Sequence, residues 1–350
     1  MSRIAVVAIT KNGIEISRRI KSKLPEAEIF VPEKHRDSGT DINWFSDQAT
    51  ALVASLFQSH DAVVCIFSLG AVIRMIAPHL KDKKSDPAVI VIDDKANHVI
   101  SALSGHLGGA NALTKLLASF LDSRAVITTA ADVNETIAVD LVGREFGWSI
   151  DDSANVTRVS ALMVNEEKIA VFQDAGEKNW WPANLPKNVT AVQNIDDVKS
   201  PDFKAALIIT DRIISDAEIL DKSVIYRPKS LVVGVGLHFD TDRETIESGV
   251  RTTFDENKLS TKCIRNIASV NRGARVRGLD EFAGQIGVPV QIFEKSDLAK
   301  VDVPNPSKVV AKFEGTASVS EAASLLSSGG RLVVPKQKFP PNLTVAVCRI

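Results

Sequence analysis

The stretch ISALSGHLGGANALTKLL, residues 100–117, joins an apolar run to a glycine-rich turn and a helical pattern. The apolar run predicts a strand that ends near Leu103. Leu113, Leu116 and Leu117 then share one face of a helix, which we expect to begin at about residue 109. Because a strand, a short turn and a helix form the repeating unit of α/β proteins, this stretch predicts an α/β fold.

The same alternation extends from this stretch in both directions. Continuous apolar runs predict further strands in the first 150 residues, and segments with helical spacing lie between them. These strands are RIAVVAI (3–9), EIFVP (28–32), AVVCIF (62–67), AVIVID (88–93) and AVITTA (125–130). Runs that are apolar throughout are typical of strands covered on both faces, so we predict an N-terminal α/β domain, residues 1–150, with a largely parallel sheet.

The pattern changes near residue 150. RVSALMVNEEKIAVFQDAG (158–176) predicts a hairpin of two short strands around Asn165–Glu167, and a stretch rich in Trp, Pro and Asn follows it. We predict a small middle domain or insertion over residues 151–228. The alternation resumes at SLVVGVGL (230–237) and includes a strand at KVVAKF (308–313), which predicts a C-terminal α/β domain over residues 229–350.

The composition is typical of a soluble globular protein. Of its 350 residues, 45% are hydrophobic and 24% charged, and the net charge of -1 gives no bulk attraction for nucleic acid or a membrane. We therefore expect neither as a partner. Cys65, Cys263 and Cys348 lie far apart in apolar runs, which indicates reduced core residues. The chain start lacks a secretory signal pattern and no apolar run is long enough for a membrane span, so we expect a cytoplasmic location.

The glycines of the opening stretch allow two interpretations. Amides at a helix N-terminus bind anions, and glycine lets a ligand approach the backbone closely. The alternative is a tight turn that needs a positive φ and binds nothing, and the sequence leaves both open. A dinucleotide site at Gly234-Val235-Gly236 is only weakly indicated, because Phe239 stands where that fingerprint has its third glycine.

Four ordered motifs carry a family resemblance. They are G-x-x-x-R-x-I-A-P at Gly70–Pro78, K-x-x-D-P-A-V at Lys83–Val89, S-G-H-x-G-G-A-N at Ser104–Asn111 and I-T-T-A-x-D at Ile127–Asp132. With them the chain resembles the CbiG family, the cobalt-precorrin-5A hydrolases of anaerobic cobalamin biosynthesis. The C-terminal block also resembles this family, although it has Leu237 where the family often has cysteine, and NRGARVRGL where the family has a Lys and Glu pair.

The resemblance implies a defined reaction. The family opens the ring-A δ-lactone of a contracted cobalt tetrapyrrole and releases C20 with its methyl group as acetaldehyde, giving cobalt-precorrin-5B. Such chemistry requires an activated water, stabilisation of an oxyanion, a proton donor or acceptor at C20, and cationic or amide partners for the peripheral carboxylates.

These requirements select candidate site residues. His106 is expected to act as general base or acid because imidazole titrates near neutral pH, with a structural role in the turn as the alternative. Ser104 is the second candidate catalytic residue. The candidate substrate-binding residues are Arg74, Gly105, Gly108, Gly109, Asn111, Thr128, Thr129, Asp132, Gly234 and Gly236.

Several of these candidates have a competing structural interpretation. Arg74 either binds a substrate carboxylate through two hydrogen bonds or extends from its helix into solvent. Thr128, Thr129 and Asp132 follow a predicted strand, where open α/β sheets bind ligands, but Asp132 or Asn134 also suits a helix N-cap. The neighbouring segment KDKKSD at residues 81–86 is favoured as an exposed loop.

No cofactor and no protein-held metal are expected, because the histidines lack ligand spacing and the cobalt would arrive with the substrate. The expected partner is an anionic cobalt tetrapyrrole. Contacts with neighbouring enzymes of the pathway and a homodimer are left open. The rival function is a non-catalytic tetrapyrrole carrier or scaffold of the same pathway, and a more distant one is a regulator that binds a sugar phosphate or nucleotide.

Overall fold

The computed structural model describes residues 3–36, 41–46, 48–82, 85–306 and 317–350. The chain forms two compact units, Met1–Leu141 and Val142–Ile350. The α/β fold class predicted from the sequence is confirmed, with three sheets that are rich in parallel pairs. The predicted domain boundaries at residues 150 and 228 stay predictions.

The first unit contains one seven-stranded sheet. Its strands are β1 (Ile4–Ala8), β2 (Glu28–Pro32), β3 (Ile42–Phe45), β4 (Ala62–Ile66), β5 (Ala88–Ile92), β6 (His98–Leu103) and β7 (Arg124–Val126). Its helices are α1 (Lys11–Lys23), α2 (Ala49–Ser59), α3 (Leu69–Ile76), α4 (Ala110–Leu121) and α5 (Ala130–Val133). The strand order is β3-β2-β1-β4-β5-β6-β7.

Alternate residues of the central strands enter two separate cores. In β1, Val6 packs with α1 and α4 on one face, while Val7 packs with α2 and α3 on the other. Both side chains are fully buried. This two-sided burial explains why the strands are apolar throughout, as predicted.

One strand reversal determines where the glycine-rich loop lies. Strands β1 to β5 pair in parallel, but β6 pairs antiparallel with β5, and β7 runs parallel to β6. The tight turn before β6 is held by Asp93, whose carboxylate accepts hydrogen bonds from the amides of Lys95 and His98. The loop after β6 therefore lies at the carboxyl ends of β6 and β7, which is the edge where β5 begins.

The second unit contains two five-stranded sheets. The first has the order β10-β9-β11-β12-β8 and the second β15-β14-β13-β17-β16. The strands are β8 (Ser149–Ile150), β9 (Ile169–Gln173), β10 (Val189–Val192), β11 (Ala205–Ile209), β12 (Ser223–Arg227), β13 (Leu231–Leu237), β14 (Ile264–Val270), β15 (Val290–Phe293), β16 (Arg331–Phe339) and β17 (Leu343–Arg349). The helices are α6 (Val156–Val164), α7 (Ala217–Lys222), α8 (Arg243–Glu256), α9 (Arg277–Ile286), α10 (Lys295–Leu298) and α11 (Val319–Ser328).

Two local predictions are wrong. The hairpin around Asn165–Glu167 is a helix followed by a strand, because Val159 and Met163 are four residues apart and bury one helical face of α6. The strand predicted at 125–130 ends at Val126, and Thr129 occupies the N-cap position of α5, so neither Asp132 nor Asn134 is the N-cap.

Other predictions have simple outcomes. Cys65, Cys263 and Cys348 are free and buried, as predicted, and burial raises the pKa of Cys65 to about 12. The predicted strand KVVAKF (308–313) and Lys83 and Lys84 lie outside the described residues. Within the described ranges, no helix is long and apolar enough to cross a membrane.

Candidate active site

His106 lies between two carboxylates in the loop that follows β6. Its Nε2 atom is 3.3 Å from Oδ2 of Asp132, and its Nδ1 atom is 3.3 Å from Oδ1 of Asp140. The three side chains are 18–24% exposed, so they are largely shielded yet still reach solvent. These two contacts fix the orientation of the imidazole ring.

Three separate pieces of chain supply these groups. His106 belongs to the loop between β6 and α4, and Asp132 lies in the short helix α5. Asp140 comes from the segment after α5, where the buried side chains of Ile137 and Val139 anchor the backbone. Thr136 donates its amide to the carbonyl of Ala131, so this segment folds back against α5.

Asp132 is fixed by α4. Asn111, which is buried in the first turn of α4, donates its Nδ2 to Oδ2 of Asp132 at 2.8 Å and to the hydroxyl of Thr129 at 2.6 Å. One turn later, Nζ of Lys115 donates to Oδ1 of Asp132 at 2.7 Å. Ser101 in β6 donates to Oδ1 of Asn111 and so sets the orientation of the amide.

The surroundings shift the two titrating groups in opposite directions. The hydrogen bond to Asp140 raises the pKa of His106, and this outweighs the burial that opposes it. Burial alone would raise the pKa of Asp132, but the hydrogen bonds from Lys115 and Asn111 hold it below its usual range. Asp132 is therefore a carboxylate at neutral pH, and His106 takes up a proton more readily than a free imidazole does.

The three glycines of the loop are explained by its internal packing. A Cβ on Gly108 would lie 2.4 Å from Cβ of Ser104, and one on Gly105 would lie 2.7 Å from Oδ1 of Asn111. Gly109 has a φ of +86°, which glycine adopts without strain. Its amide also donates to the carbonyl of His106. Substrate binding by Gly105, Gly108 and Gly109 stays a prediction.

The side chain of Ser104 is bound to the backbone of a neighbouring segment, and its catalytic role stays a prediction. Its hydroxyl donates to the backbone carbonyl of Asp86 at 2.9 Å, which ties the loop to the start of β5. Its φ of +56° belongs to the left-handed region that non-glycine residues rarely adopt. These contacts indicate that Ser104 shapes the loop.

Arg74 and Thr128 are exposed, whereas Thr129 belongs to the hydrogen-bonded cluster around Asp132. The guanidinium of Arg74 donates to the carbonyl of Gly70 in its own helix at 3.1 Å. Substrate binding by Arg74 and Thr128 stays a prediction.

Gly234 and Gly236 lie within β13, in the second compact unit. A Cβ on Gly234 would lie 1.9 Å from the carbonyl oxygen of Ser320, and one on Gly236 would lie 2.6 Å from the hydroxyl of Thr344. Close packing of α11 on the sheet therefore explains Gly234, and contact with β17 explains Gly236. Substrate binding by these two residues also stays a prediction.

Two residues of the cluster were missed in the sequence. Asp140 stands alone in the apolar run IAVDL, and Lys115 stands among leucines in α4. An acid within a buried run was the available signal, since such a charge needs a partner. Within the described residues, no group of three or more His, Cys, Asp or Glu side chains has the geometry of a metal site.

Comparison with known proteins assigns the family. Residues 51–132 match the model "Cobalamin synthesis G N-terminal", residues 137–228 match "Cobalamin biosynthesis central region", and residues 231–348 match "Cobalamin synthesis G C-terminus". The first and second of these matched segments contain most of the cluster around His106, with Asp132 closing the first and Asp140 near the start of the second.

Full-length relatives agree with these matches. A protein of Priestia megaterium named cobalt-precorrin-5A hydrolase is 41% identical over 99% of this chain and 94% of its own length. A protein of Salmonella typhimurium with the same name is 30% identical over 94% of this chain and 93% of its own length. The crystal structure of a cobalamin biosynthesis protein G homolog from Sulfolobus solfataricus is 20% identical, covers 99% of this chain and 97% of its own, and has a TM-score of 0.40. The three family models and the two full-length relatives show that the chain belongs to the cobalamin synthesis G family, CbiG.

Proposed function

We propose that this protein is a cobalt-precorrin-5A hydrolase and that His106 is its general base. The full-length relatives bear that name. The observation that carries the catalytic assignment is the position of His106 between Asp132 and Asp140, at 3.3 Å from each. A histidine held from both sides has a fixed orientation, and carboxylates stabilise the imidazolium that forms when it takes a proton.

The first step opens the lactone. Neutral His106 accepts a proton from a water molecule while the water oxygen attacks the lactone carbonyl carbon. The tetrahedral intermediate carries its negative charge on the former carbonyl oxygen, and we assign the stabilisation of this charge to the amides of Gly105 and Gly108. When the intermediate collapses, the bond between the carbonyl carbon and the ring oxygen breaks. That oxygen stays bonded to C20.

The second step breaks a carbon–carbon bond. The oxygen on C20 forms a carbonyl group, C20 leaves with its methyl group as acetaldehyde, and the electron pair of the broken bond stays on the macrocycle. That electron pair takes up the proton that His106 received from water, which returns His106 to its neutral form. One water is consumed, and its oxygen remains in the new carboxylate. The reaction is redox-neutral and needs no nucleotide, so His106 has only protons to move.

The substrate is an anionic cobalt tetrapyrrole that brings its own cobalt. Its peripheral carboxylates need cationic or amide partners, for which Arg74, Thr128 and the loop glycines are the candidates in the first unit. Lys115 already holds Asp132, so we assign it to positioning the catalytic carboxylate.

A single assay separates this function from that of a carrier. Purified protein is incubated with cobalt-precorrin-5A, without nucleotide, reductant or S-adenosylmethionine. The protein is then removed, and the acetaldehyde in the filtrate is measured with alcohol dehydrogenase and NADH. We expect one equivalent of acetaldehyde for each macrocycle over many turnovers. Tight binding of the substrate without acetaldehyde would establish a carrier and overturn the proposal.

A further inference from the structure

The large hydrophobic side chains that the first unit exposes are gathered in one region of its surface. Among the described residues of this unit, four such side chains are exposed, by 41–63%. They lie in α3, in the turn that follows α3, in α4 and in α5, and they are Ile73, Leu80, Leu116 and Val133. Exposed apolar side chains that are scattered singly need no explanation, whereas a group of them indicates a binding surface.

The sheet topology places two of these side chains on opposite sides of the loop that carries His106. Strands β5, β6 and β7 are neighbours in that order. Val89 near the start of β5 pairs with Leu103 at the end of β6, so the segment before β5 lies beside the loop after β6. Because β7 runs parallel to β6, the segment after β7 lies at the same edge. Leu80 precedes β5 and Val133 follows β7, so the loop lies between them.

Hydrogen bonds hold the turn of Leu80 against this loop on the β5 side. The backbone amide of Lys81 donates to the two carboxylate oxygens of Asp86 at 3.0 and 3.2 Å. The backbone carbonyl of Asp86 accepts the hydroxyl of Ser104, two residues before His106, at 2.9 Å. The side chains of Leu80 and Lys81 are both exposed. A turn that is bound to the His106 loop therefore presents an apolar group and a cation.

The β7 side of the loop carries the other apolar groups. Val133 directly follows Asp132, whose carboxylate is 3.3 Å from Nε2 of His106. Nζ of Lys115 donates to the same carboxylate at 2.7 Å, and Leu116 is the next residue of α4. Val133 and Leu116 are both exposed, so apolar surface adjoins the carboxylate that contacts His106.

We propose that Leu80 and Val133 are specificity-determining residues that contact the carbon framework of the substrate on either side of His106, and that Lys81 binds one of its peripheral carboxylates. Neighbouring strands lie about 4.8 Å apart, so the segments before β5 and after β7 are separated by about 10 Å, a span comparable to the width of a tetrapyrrole. The inference rests on the proposed function, which supplies the substrate. Its negative charge complements Lys81, and its apolar framework would cover the two exposed side chains.

The test compares Leu80→Ser, Val133→Ser, the double variant and Lys81→Met with the parent. The acetaldehyde assay gives kcat and KM, and the visible absorbance of cobalt-precorrin-5A gives its Kd for the same substitutions in the His106→Asn background. Leu220→Ser is the apolar control, because Leu220 lies on α7 of the second unit and is 40% exposed, close to the 46% of Leu80. Arg277→Ala is the charge control, because Arg277 is exposed and paired with Glu281 at 2.6 Å.

We expect each serine variant to raise KM and Kd by roughly threefold and the double variant by roughly tenfold, because apolar surface is no longer buried by the substrate. The value of kcat should change much less, since these contacts are the same in the ground state and in the transition state. Lys81→Met should raise KM at low ionic strength, and this effect should shrink in about 0.5 M salt, whereas that of the serine variants should persist. Both controls should behave as the parent does.

An unchanged KM and Kd in the double variant would overturn the proposal, as would an equal loss in Leu220→Ser. A change in molar mass by light scattering, with KM unchanged, would overturn it by showing that the apolar group joins copies of the chain. Circular dichroism verifies that each variant is folded. A parent that forms no acetaldehyde, with Kd still raised in the double variant, would overturn hydrolysis alone. Acetaldehyde formation with an unchanged KM would overturn this inference alone.

Discussion

The two compact units each contain a cluster of charged side chains, and the clusters differ in their partners and their burial. In the first unit, His106 lies between Asp132 and Asp140, and all three retain some exposure. In the second unit, the carboxylate of Asp211 is fully buried and is paired with Arg349. A histidine changes charge near neutral pH, whereas an arginine does not. The first cluster can therefore transfer a proton, and the second can only hold its elements together.

The contacts of the second cluster support this role. Asp211 follows β11 and accepts hydrogen bonds from Nε of Arg349 at 2.7 Å and from the hydroxyl of Ser230 at 3.0 Å. Nearby, Arg227 is 2% exposed and pairs with Asp151 at 2.6 Å. The pair of Asp211 and Arg349 joins the middle sheet to the last strand of the C-terminal sheet. Removing one partner leaves a buried charge without compensation, which is strongly destabilising.

The largest expected effect comes from His106→Asn. Asparagine keeps the approximate size and some hydrogen bonding but cannot take a proton from water. Turnover in the acetaldehyde assay should fall by roughly 10²- to 10⁴-fold, the usual range for loss of acid–base catalysis. The urea midpoint should change little, because the side chain is partly exposed. Turnover near that of the parent would show that His106 only shapes the loop and would remove the contrast between the clusters.

The converse experiment is Arg349→Ala. It should lower the free energy of unfolding by about 3–5 kcal/mol, because Asp211 stays buried without its partner. Urea unfolding followed by circular dichroism measures the loss. Arg277→Ala is the control, since its exposed pair with Glu281 should contribute less than about 1 kcal/mol. A loss no larger than that of the control would mean that the buried pair does not hold the two sheets together.

The strands and their burial could be predicted from the sequence, whereas the direction of β6 could not. Apolar runs such as residues 62–67 identify buried strands because both faces are covered. The reversal at β6 depends on a turn in which Asp93 accepts two backbone amides, and this gives no hydrophobic pattern. The hairpin around residue 165 was wrong because a short apolar run does not distinguish a helix from a strand.

The candidate site was predicted in part. His106, Asn111 and Asp132 lie in ordered motifs, so the sequence pointed to them directly. Asp140 was missed because its contact with His106 depends on how the segment after α5 folds back, which is a tertiary feature. The glycines were also identified, but the sequence could not decide between packing and ligand binding as their role. Close packing against Ser104 and close approach of a ligand both require a residue without a Cβ.

A smaller effect should separate the two carboxylates that flank His106. Asp140→Asn removes the main interaction that raises the pKa of His106. A general base is active when neutral, so the acid limb of the profile of kcat/KM against pH should move to lower pH in this variant. In the parent, the midpoint of the acid limb should lie above the ordinary histidine pKa of 6.5. An acid limb that does not move would show that the limb belongs to another group.

Asp151→Asn provides the comparison in the second unit. Arg227 and Lys262 hold the pKa of Asp151 below its usual range against the effect of burial. That carboxylate is already ionised throughout the neutral range, so its loss should lower stability without moving the acid limb. If the acid limb moves in both variants, it reflects loss of the folded state at low pH and not the titration of His106.

The smallest expected effect is on stability, and its sign follows from the raised pKa of His106. A group whose pKa is higher in the folded state than in the unfolded chain contributes stability below its unfolded pKa and loses it as the pH rises through its folded pKa. Asp132 has the opposite shift, and its contribution is present above its ordinary value of 3.8. It therefore stays constant over the window in which His106 titrates.

The free energy of unfolding of the parent minus that of His106→Asn should accordingly be larger at about pH 5.5 than at about pH 8.5. Subtraction removes the other titrating groups that the two proteins share, including the second cluster. Urea titrations at both pH values measure the difference. If the difference is the same at both values, the raised pKa does not distinguish the folded chain from the unfolded one. If it grows with pH, burial prevails over the carboxylates, and His106 is held in its neutral form.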